Sequence, residues 1–554
     1  MPPVERRVGL LFAGFLILLA IAAGRAGYMT VVNGSGLSFA ASSQQVAVKT
    51  VPARRGAIVD RRGAPLATSE PADDISATPY LVEHPGPAAA KLAPILKLPE
   101  GEVVRQLTRR DTGFVYLARR LPAASSDRIR ELRIEGIDVT PSSLRSYPRG
   151  MLAAQVLGGV RMHDGKGLFG LEYSRDRLLR GSDGRRRTVL DGAGRAIDVE
   201  EQRVAVPGSR LRLTLDAEVQ ARTEEVLKDV GDRFTPKAAT AIVMDPRDGS
   251  LLAVANWPRI DANAPGESPP SALQNMAVGM TLEPGSTFKA FTVAAALEDG
   301  EVTPRTSFNL PPQIQVADRT IGESHPRGWV TLDTSGILAQ SSNVGAIMVG
   351  QRLGGRRFDQ WVRRFGFGRP TRVDLPGEER GLVLPYEKYS GSSMGNLPIG
   401  QGELVTPMQM VTAYAAIANG GILRPPHIVQ ALDGRPVPIS RGRRIISSRT
   451  AHEVRRMLEG VLAPGGTASE VKIPGYQLAG KTGTANKIDP ATGAYSEERY
   501  VASFVGMAPA RDPRLLVAVM VDEPHGAIYG GEVAAPAFGR IASFALPYLR
   551  IPPS

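Results

Sequence analysis

"EPGSTFK", residues 283–289, places a serine three positions before a lysine, directly after a Pro-Gly pair. The run that begins there, "STFKAFTVAAALEDG", has helical composition and stops at Gly300. Ser286 falls in its first turn, and Lys289 lies one turn on, on the same face. A serine hydroxyl needs a base to become a nucleophile. A lysine amine can serve when burial or a helix N-terminus lowers its pKa. The same N-terminus offers free backbone N–H groups to an oxyanion. The ordinary alternative is a helix-capping serine. The spacing is cheap, because Ser469 and Lys472 in "ASEVK" repeat it. The meaning of the stretch therefore depends on what accompanies it.

Two downstream stretches do. "AQSSNVGAIMVG", 339–350, carries Ser341 and Asn343 at the head of an apolar, small-residue run. A loop there could point polar groups inward. The same S-x-N pattern at Ser307 and Asn309 leads instead into "LPP". "GKTGTAN", 480–486, has a strand pattern in which Lys481 and Gly483 share one face and Thr482 and Thr484 the other. Gly483 would let another chain approach closely. On an edge strand, this segment could pair with an extended peptide. The alternative is a polar turn between strands. The decoy Ser469 lies too close to Lys481 to leave room for a middle motif.

The chain has 554 residues, a length that implies more than one domain. It has no cysteine, which excludes disulfides, thiolate metal sites and a cysteine nucleophile. The net charge of +12 suggests anionic surroundings. The positive charge is scattered, apart from a short run at Arg185-Arg186-Arg187, and no basic segment is interleaved with aromatics. No nucleic-acid partner is expected.

Residues 8–24, "VGLLFAGFLILLAIAAG", are uncharged and follow Arg6 and Arg7. The run can cross a bilayer, and residues 26–32 could lengthen it despite Arg25. The flanking arginines predict a cytoplasmic N-terminus and an uncleaved anchor, with a cleaved signal peptide as the rival. Residues 30–45 read as a polar connector. "AIVD" at 57–60 is β-like, and Gly63-Ala64-Pro65 is a turn. "AAAKLAPILKL" and "SSDRIRELRI" are helical patches, and "LFGLEYSRDRLLRG", 168–181, reads as one helix ending at Gly181. Composition shifts near Pro207-Gly208. "LRLTLD" is a strand pattern, and an amphipathic helix starts at Asp216. A β-hairpin crosses Asp245–Gly249. After a helical middle, "YQLAGKTGTA", "RYVASFVGMA" and "LLVAVMVDE" are successive strands, and "AAPAFGRIASFAL" is a final helix. The order predicts an α/β (α+β) fold, an antiparallel sheet between helices.

With "STFK", "SSN" and "KTGT" in that order, the chain resembles the penicillin-binding transpeptidase family. "ARRGAIVDRRGAPLA" and "GLFGLEYSRDRLLRG" resemble the N-terminal signatures of its class B, monofunctional members. The flanks of the three motifs are most similar to the FtsI/SpoVD branch. The resemblance implies a transpeptidase domain of the serine β-lactamase-like fold, with a five-stranded sheet. The expected division is 1–45 tail, transmembrane anchor and connector, 46–205 pedestal (dimerisation-type) domain, and 206–554 transpeptidase domain. Ser286 would be the acylated nucleophile and Lys289 its base. Ser341 would relay a proton to the leaving amine, with Lys481 close by. Asn343, Thr482, Gly483 and Thr484 would bind the donor peptide. Stem peptides ending in D-Ala-D-Ala are the implied substrate, β-lactams the implied inhibitors, and no metal or cofactor is implied. A SEDS-family, FtsW-like lipid-II polymerase and other divisome proteins are the implied partners. The implied location is the cell membrane, single-pass, with the catalytic domain outside at the division septum. An elongation or spore-cortex role is the alternative.

Three other readings compete. "GSSMG", 391–395, matches the G-x-S-x-G elbow around Ser393, but neither flank offers the required strand and helix. A serine β-lactamase or carboxypeptidase shares the three motifs without the long N-terminal region. A β-lactam sensor or wall-binding scaffold could keep the motifs without turnover.

Overall fold

The structure is a computed structural model that describes residues 3–31, 46–161, 163–190, 196–489 and 491–553. The connector reading at 30–45 falls mostly outside these residues. The N-terminal apolar run forms one helix, Pro3–Val31, continuous through Arg25. Within it, Val8–Met29 is long and apolar enough to cross a membrane, and none of it is buried against the rest of the chain. Its 22 residues span about 33 Å at the α-helical rise, slightly more than a hydrocarbon core.

Beyond the anchor, the long strand Pro65–Ala77 organises the N-terminal region, pairing with Ile58–Val59, Val115–Pro122 and Ile137–Ser146. The two helical patches become helices Pro85–Leu96 and Ala123–Glu131. They close a separate small core around Ile75, Leu92, Val103 and Ile129. The Gly63 turn forms as expected. Asp60 Oδ1 accepts from the N–H groups of Arg62 and Ala64, and Gly63 takes φ +94°. The reading of 168–181 needs a correction. Two short helices, Gly170–Ser174 and Asp176–Arg180, replace the single one. The break at Arg175 falls between Glu172 and Asp176, which both bind Arg55, at 2.5 and 2.7 Å. Arg145 joins from the other side, donating to Glu172 at 2.6 Å. The two N-terminal signature stretches are thus tied by a buried ion cluster.

Arg186 and Arg187 lie on the strand Gly184–Leu190 opposite Glu201 and Glu200 of Ala196–Arg203, while Arg185 lies opposite Arg203. Arg187 pairs with Glu200 at 3.5 Å.

Leu211–Leu213 pairs with Ile58–Val59 on one side and with Val429–Leu432 on the other. One sheet therefore runs from the N-terminal region into the C-terminal one. The main core likewise joins Ile58 and Leu157 to the central sheet.

That central sheet has five antiparallel strands: β1 (Ala238–Asp245), β2 (Ser250–Trp257), β3 (Ala479–Ile488), β4 (Tyr495–Ala508) and β5 (Leu515–Asp522), in the order β2-β1-β5-β4-β3. The hairpin and the three late strands are those read from the sequence. Helix Ala217–Phe234, capped by the Asp216 carboxylate, packs with Ala535–Tyr548 against the sheet. Helices Pro407–Ala418 and Ser448–Glu459 also pack against it. Covered by helices, β5 is buried along its whole length, which explains its unbroken apolar sequence.

Candidate active site

The Pro284-Gly285 pair brings the chain hard against β3. Gly285 has φ +55°, and a Cβ there would sit 3.0 Å from Ala485 Cβ and 3.1 Å from Thr484 O. Only glycine meets both demands. The next residues form a 3₁₀ turn, Gly285–Phe288, and the α-helix proper runs Lys289–Glu298. Ser286 therefore sits in a 3₁₀ turn rather than the first α-helical turn. It is half-buried among buried neighbours. Its hydroxyl makes no hydrogen bond among the described residues, and no side chain caps the turn. The capping alternative is thereby removed. From beneath, Tyr414 donates to Thr287 O at 2.6 Å and holds the turn.

Lys289 is fully buried. Its Nζ donates to Ser341 O at 2.6 Å and Asn343 Oδ1 at 2.7 Å, with Ser341 Oγ at 3.3 Å. One amine thus joins two motifs that are distant in sequence. Burial pulls its pKa from the ordinary 10.5 down to about 7; nearby Glu323 opposes that shift and Arg327 adds to it. The decoy Lys472 is exposed, and the decoy Ser307 and Asn309 point outward from a strand.

The S-x-N segment is a sharp connection between two helices. Ser341 takes a left-handed φ of +58°, strained for a residue with a Cβ. Ser342 caps the helix Asn343–Leu353 by accepting from Gly345 N–H. Glu323, which the sequence reading missed, fixes this corner. It accepts from Ser342 Oγ and Asn343 N–H, both at 2.6 Å. Arg327 donates to Glu323 at 2.6 Å and to Ser342 at 3.0 Å. Asn343 Nδ2 donates to Gly322 O at 2.9 Å. No spacing rule marks Glu323, since it lies on a different loop.

Lys481 and Gly483 share one face of β3, as the alternation predicts. Lys481 is fully buried, and its Nζ donates to Thr482 O at 3.1 Å. Burial, and then the charge of Lys289, lower its pKa far below the usual lysine value. A Cβ at Gly483 would meet Thr287 Cγ2 at 2.9 Å and Pro284 O at 3.1 Å, so this glycine admits the Ser286 turn. On the opposite face, Thr482 Oγ1 lies 2.6 Å from Thr467 Oγ1, and Thr484 Oγ1 accepts from Gly530 N–H at 3.1 Å. Among the described residues β3 ends the sheet and pairs with β4 alone, so its outer edge carries no strand partner. The His325 and Tyr529 rings stack at 5.2 Å where the two walls of the cleft meet.

Ser286, Lys289, Ser341, Asn343, Lys481, Gly483 and Thr484 thus come from one cleft, and Thr482 supports its far side. Ser393 is elsewhere: its hydroxyl contacts Ser390 at 3.1 Å, in a one-turn helix with no strand before it. The nucleophile-elbow reading fails on that geometry.

The family described as penicillin binding protein transpeptidase domain matches residues 239–543, and the penicillin-binding protein dimerisation domain matches 50–213. Penicillin-binding protein PbpB of Mycolicibacterium smegmatis is 34% identical over 580 residues, covering 97% of this chain and 89% of that one. Peptidoglycan D,D-transpeptidase FtsI of Escherichia coli is 32% identical, covering 99% of this chain and 93% of its own. The crystal structure of penicillin binding protein 3 from Mycobacterium tuberculosis, complexed with aztreonam, superposes with a TM-score of 0.72 at 33% identity. It covers 91% of this chain and 98% of that one. A motif set gathered into one cleft, two matched domains and relatives of this extent agree: the chain belongs to the class B penicillin-binding proteins, the monofunctional peptidoglycan D,D-transpeptidases.

Proposed function

We propose that the protein cross-links peptidoglycan stem peptides at the division septum through an acyl-enzyme on Ser286. The observation that carries this reading is Lys289. A neutral amine has two N–H donors and one lone pair. Ser341 O and Asn343 Oδ1 take the two donors, which leaves the lone pair for a hydroxyl: Ser341 Oγ lies there at 3.3 Å, and Ser286 Oγ delivers its proton there during attack. Ser286 Oγ attacks the carbonyl of the penultimate D-alanine, and Lys289 receives its proton. The backbone N–H groups of Ser286 and Thr484 receive the oxyanion. Ser341, with Lys481 beside it, passes a proton to the departing D-alanine amine. Asn343 holds the amide side of the donor, while Thr482 and Thr484 hydroxyls receive its carboxylate. Gly483 lets the donor lie along β3. The amine of a second stem peptide then takes the acyl group and regenerates Ser286. β-Lactams enter as analogues of the D-Ala-D-Ala end and remain on Ser286.

The division proposed for the chain is 1–45, 46–205 and 206–554, with a cytoplasmic N-terminus and the rest outside. An FtsW-like lipid-II polymerase is the proposed partner, contacted through the anchor and the pedestal. Likeness to FtsI supports the septal site; a fluorescent fusion spread along the lateral wall would count against it. Co-purification of the polymerase should fail when residues 1–45 are swapped, and unchanged binding would remove the anchor from that contact.

Fluorescent penicillin on membranes tests the chemistry. The wild type should label and Ser286→Ala should not. An unlabelled wild type would sink the proposal, and a labelled Ser286→Ala would move the nucleophile. Rapid loss of label would indicate a β-lactamase. Release of D-alanine with transfer to an added amine separates an enzyme from a sensor.

A further inference from the structure

Behind the Ser286 turn lie two carboxyl groups that the acyl transfer does not use. Glu283 is three residues before Ser286. Glu403 lies in the segment that leads into helix Pro407–Ala418. Glu403 is 1% exposed and Glu283 8%. Glu283 Oε1 accepts from Gly402 N–H at 2.9 Å and from the Tyr495 hydroxyl at 3.2 Å. Glu283 Oε2 and Glu403 Oε1 are buried and have no hydrogen-bond partner. No cation is among the charges either carboxyl feels; Glu403 feels Glu283.

The two segments are laced together around this pair. Gly285 N–H donates to Gly400 O at 2.9 Å, and Leu282 and Val405 exchange backbone hydrogen bonds at 3.0 and 2.9 Å. Gly400 has φ +78°, and a Cβ there would lie 2.2 Å from Gly285 O, so the contact is as close as backbones allow. Two ionised carboxylates without a cation cannot share such a site cheaply. Sharing a single proton removes the repulsion, as in paired-carboxylate sites generally. Glu283, with two donors, is the better place for the negative charge. Burial, and then Glu283, push the Glu403 carboxyl far above its usual range.

We propose that Glu283 and Glu403 are positioning residues for acylation: with one proton retained by the pair, these two buried carboxyls keep the Ser286 turn seated against the 400–405 segment. The proposal rests on Ser286 being the nucleophile. Losing the proton puts two like charges into the same buried region and loosens the turn that carries Ser286. The other titratable or charged groups around the pair are Tyr495, with Arg319 beyond it, and Tyr389, with Asp359 and Arg363 beyond it. Burial raises both tyrosines, so neither changes charge at neutral pH.

The test is the rate of fluorescent-penicillin acylation against pH, using the full chain in detergent. The wild-type rate should fall on the alkaline side, approaching tenfold per pH unit past the midpoint. In Glu403→Gln, neutral at every pH, that alkaline fall should disappear while the acid limb stays. Glu283→Gln should do the same and serves if the first variant folds poorly. A second readout is thermal unfolding. A raised folded-state pKa means that the folded chain keeps a proton the unfolded chain has released, so stability drops as pH rises. Glu403→Gln should flatten that drop. An alkaline limb that is absent in the wild type, or unchanged in both variants, would overturn the pair. A wild type that labels at no pH would remove the acyl-enzyme reading itself, a distinguishable result.

Discussion

Arg55 and Lys289 are both buried cations carried by signature stretches, and the protein treats them in opposite ways. Arg55, in the pedestal, meets Glu172 at 2.5 Å and Asp176 at 2.7 Å, and Arg145 completes the cluster. Lys289, in the cleft, meets carbonyl and hydroxyl oxygens at hydrogen-bond distance and no carboxylate within ion-pair range. A buried charge with its counter-charge stays ionised and fixes geometry. A buried charge without one gives up its proton instead. The pedestal uses buried charge as a fastener, and burial in the cleft lowers the lysine's pKa, as the proposed base requires. Arginine suits the first task because it holds its proton and binds carboxylates with two parallel donors; lysine suits the second because its pKa moves.

The contrast breaks most visibly at Lys289. Lys289→Arg keeps the charge but cannot accept a proton, and should slow acylation by about 10²–10⁴-fold without unfolding the chain. Single-turnover labelling measures this, and a normal rate would make the lysine merely structural. The mirror-image variant is Glu172→Ala, which strands Arg55 and Arg145. It should cost about 3–5 kcal/mol of stability in denaturant unfolding. Acylation per folded molecule should hardly change, because Glu172 lies in the pedestal. A large catalytic defect there would show that the two regions are coupled.

The pH profile sharpens the comparison further. Lys289 has a folded-state pKa lowered to about 7, and the proposed base is its neutral amine. Acylation should therefore fall about tenfold per unit as pH drops below that value, the acid limb of a profile whose alkaline limb belongs to the Glu283–Glu403 pair. The smallest expected effect is at Glu323, whose charge raises the Lys289 pKa. Glu323→Gln should move the acid limb to lower pH. It should also weaken substrate binding modestly, because a glutamine keeps one acceptor oxygen where Glu323 uses two, one for Ser342 Oγ and one for Asn343 N–H.

Much of the fold was legible along the chain. The anchor, the hairpin, the helix opened by Asp216, the three late strands and the final helix each follow from local periodicity and turn chemistry. The helix over 168–181 was misread because its break serves Arg55, which lies more than a hundred residues earlier and leaves no local mark. The shared sheet built on Leu211–Leu213 was hidden for the same reason: a three-residue strand takes its meaning from its neighbours.

The sequence by itself determined the candidates and their order, since "STFK", "SSN" and "KTGT" carry the reacting groups in their own letters. It also set the local shape that glycine and proline impose at 284–285. Motif order already set the decoy Ser469 aside; only the tertiary structure decided how the two lysines differ in surroundings. Nothing in "STFK" says that Lys289 is dry, while Lys472 of "ASEVK" stays in water. Burial and counter-charge are properties of packed surroundings, and they set the pKa that turns a lysine into a base. Glu323, and the Glu283–Glu403 pair behind the turn, belong to those surroundings, and folding alone brought them there.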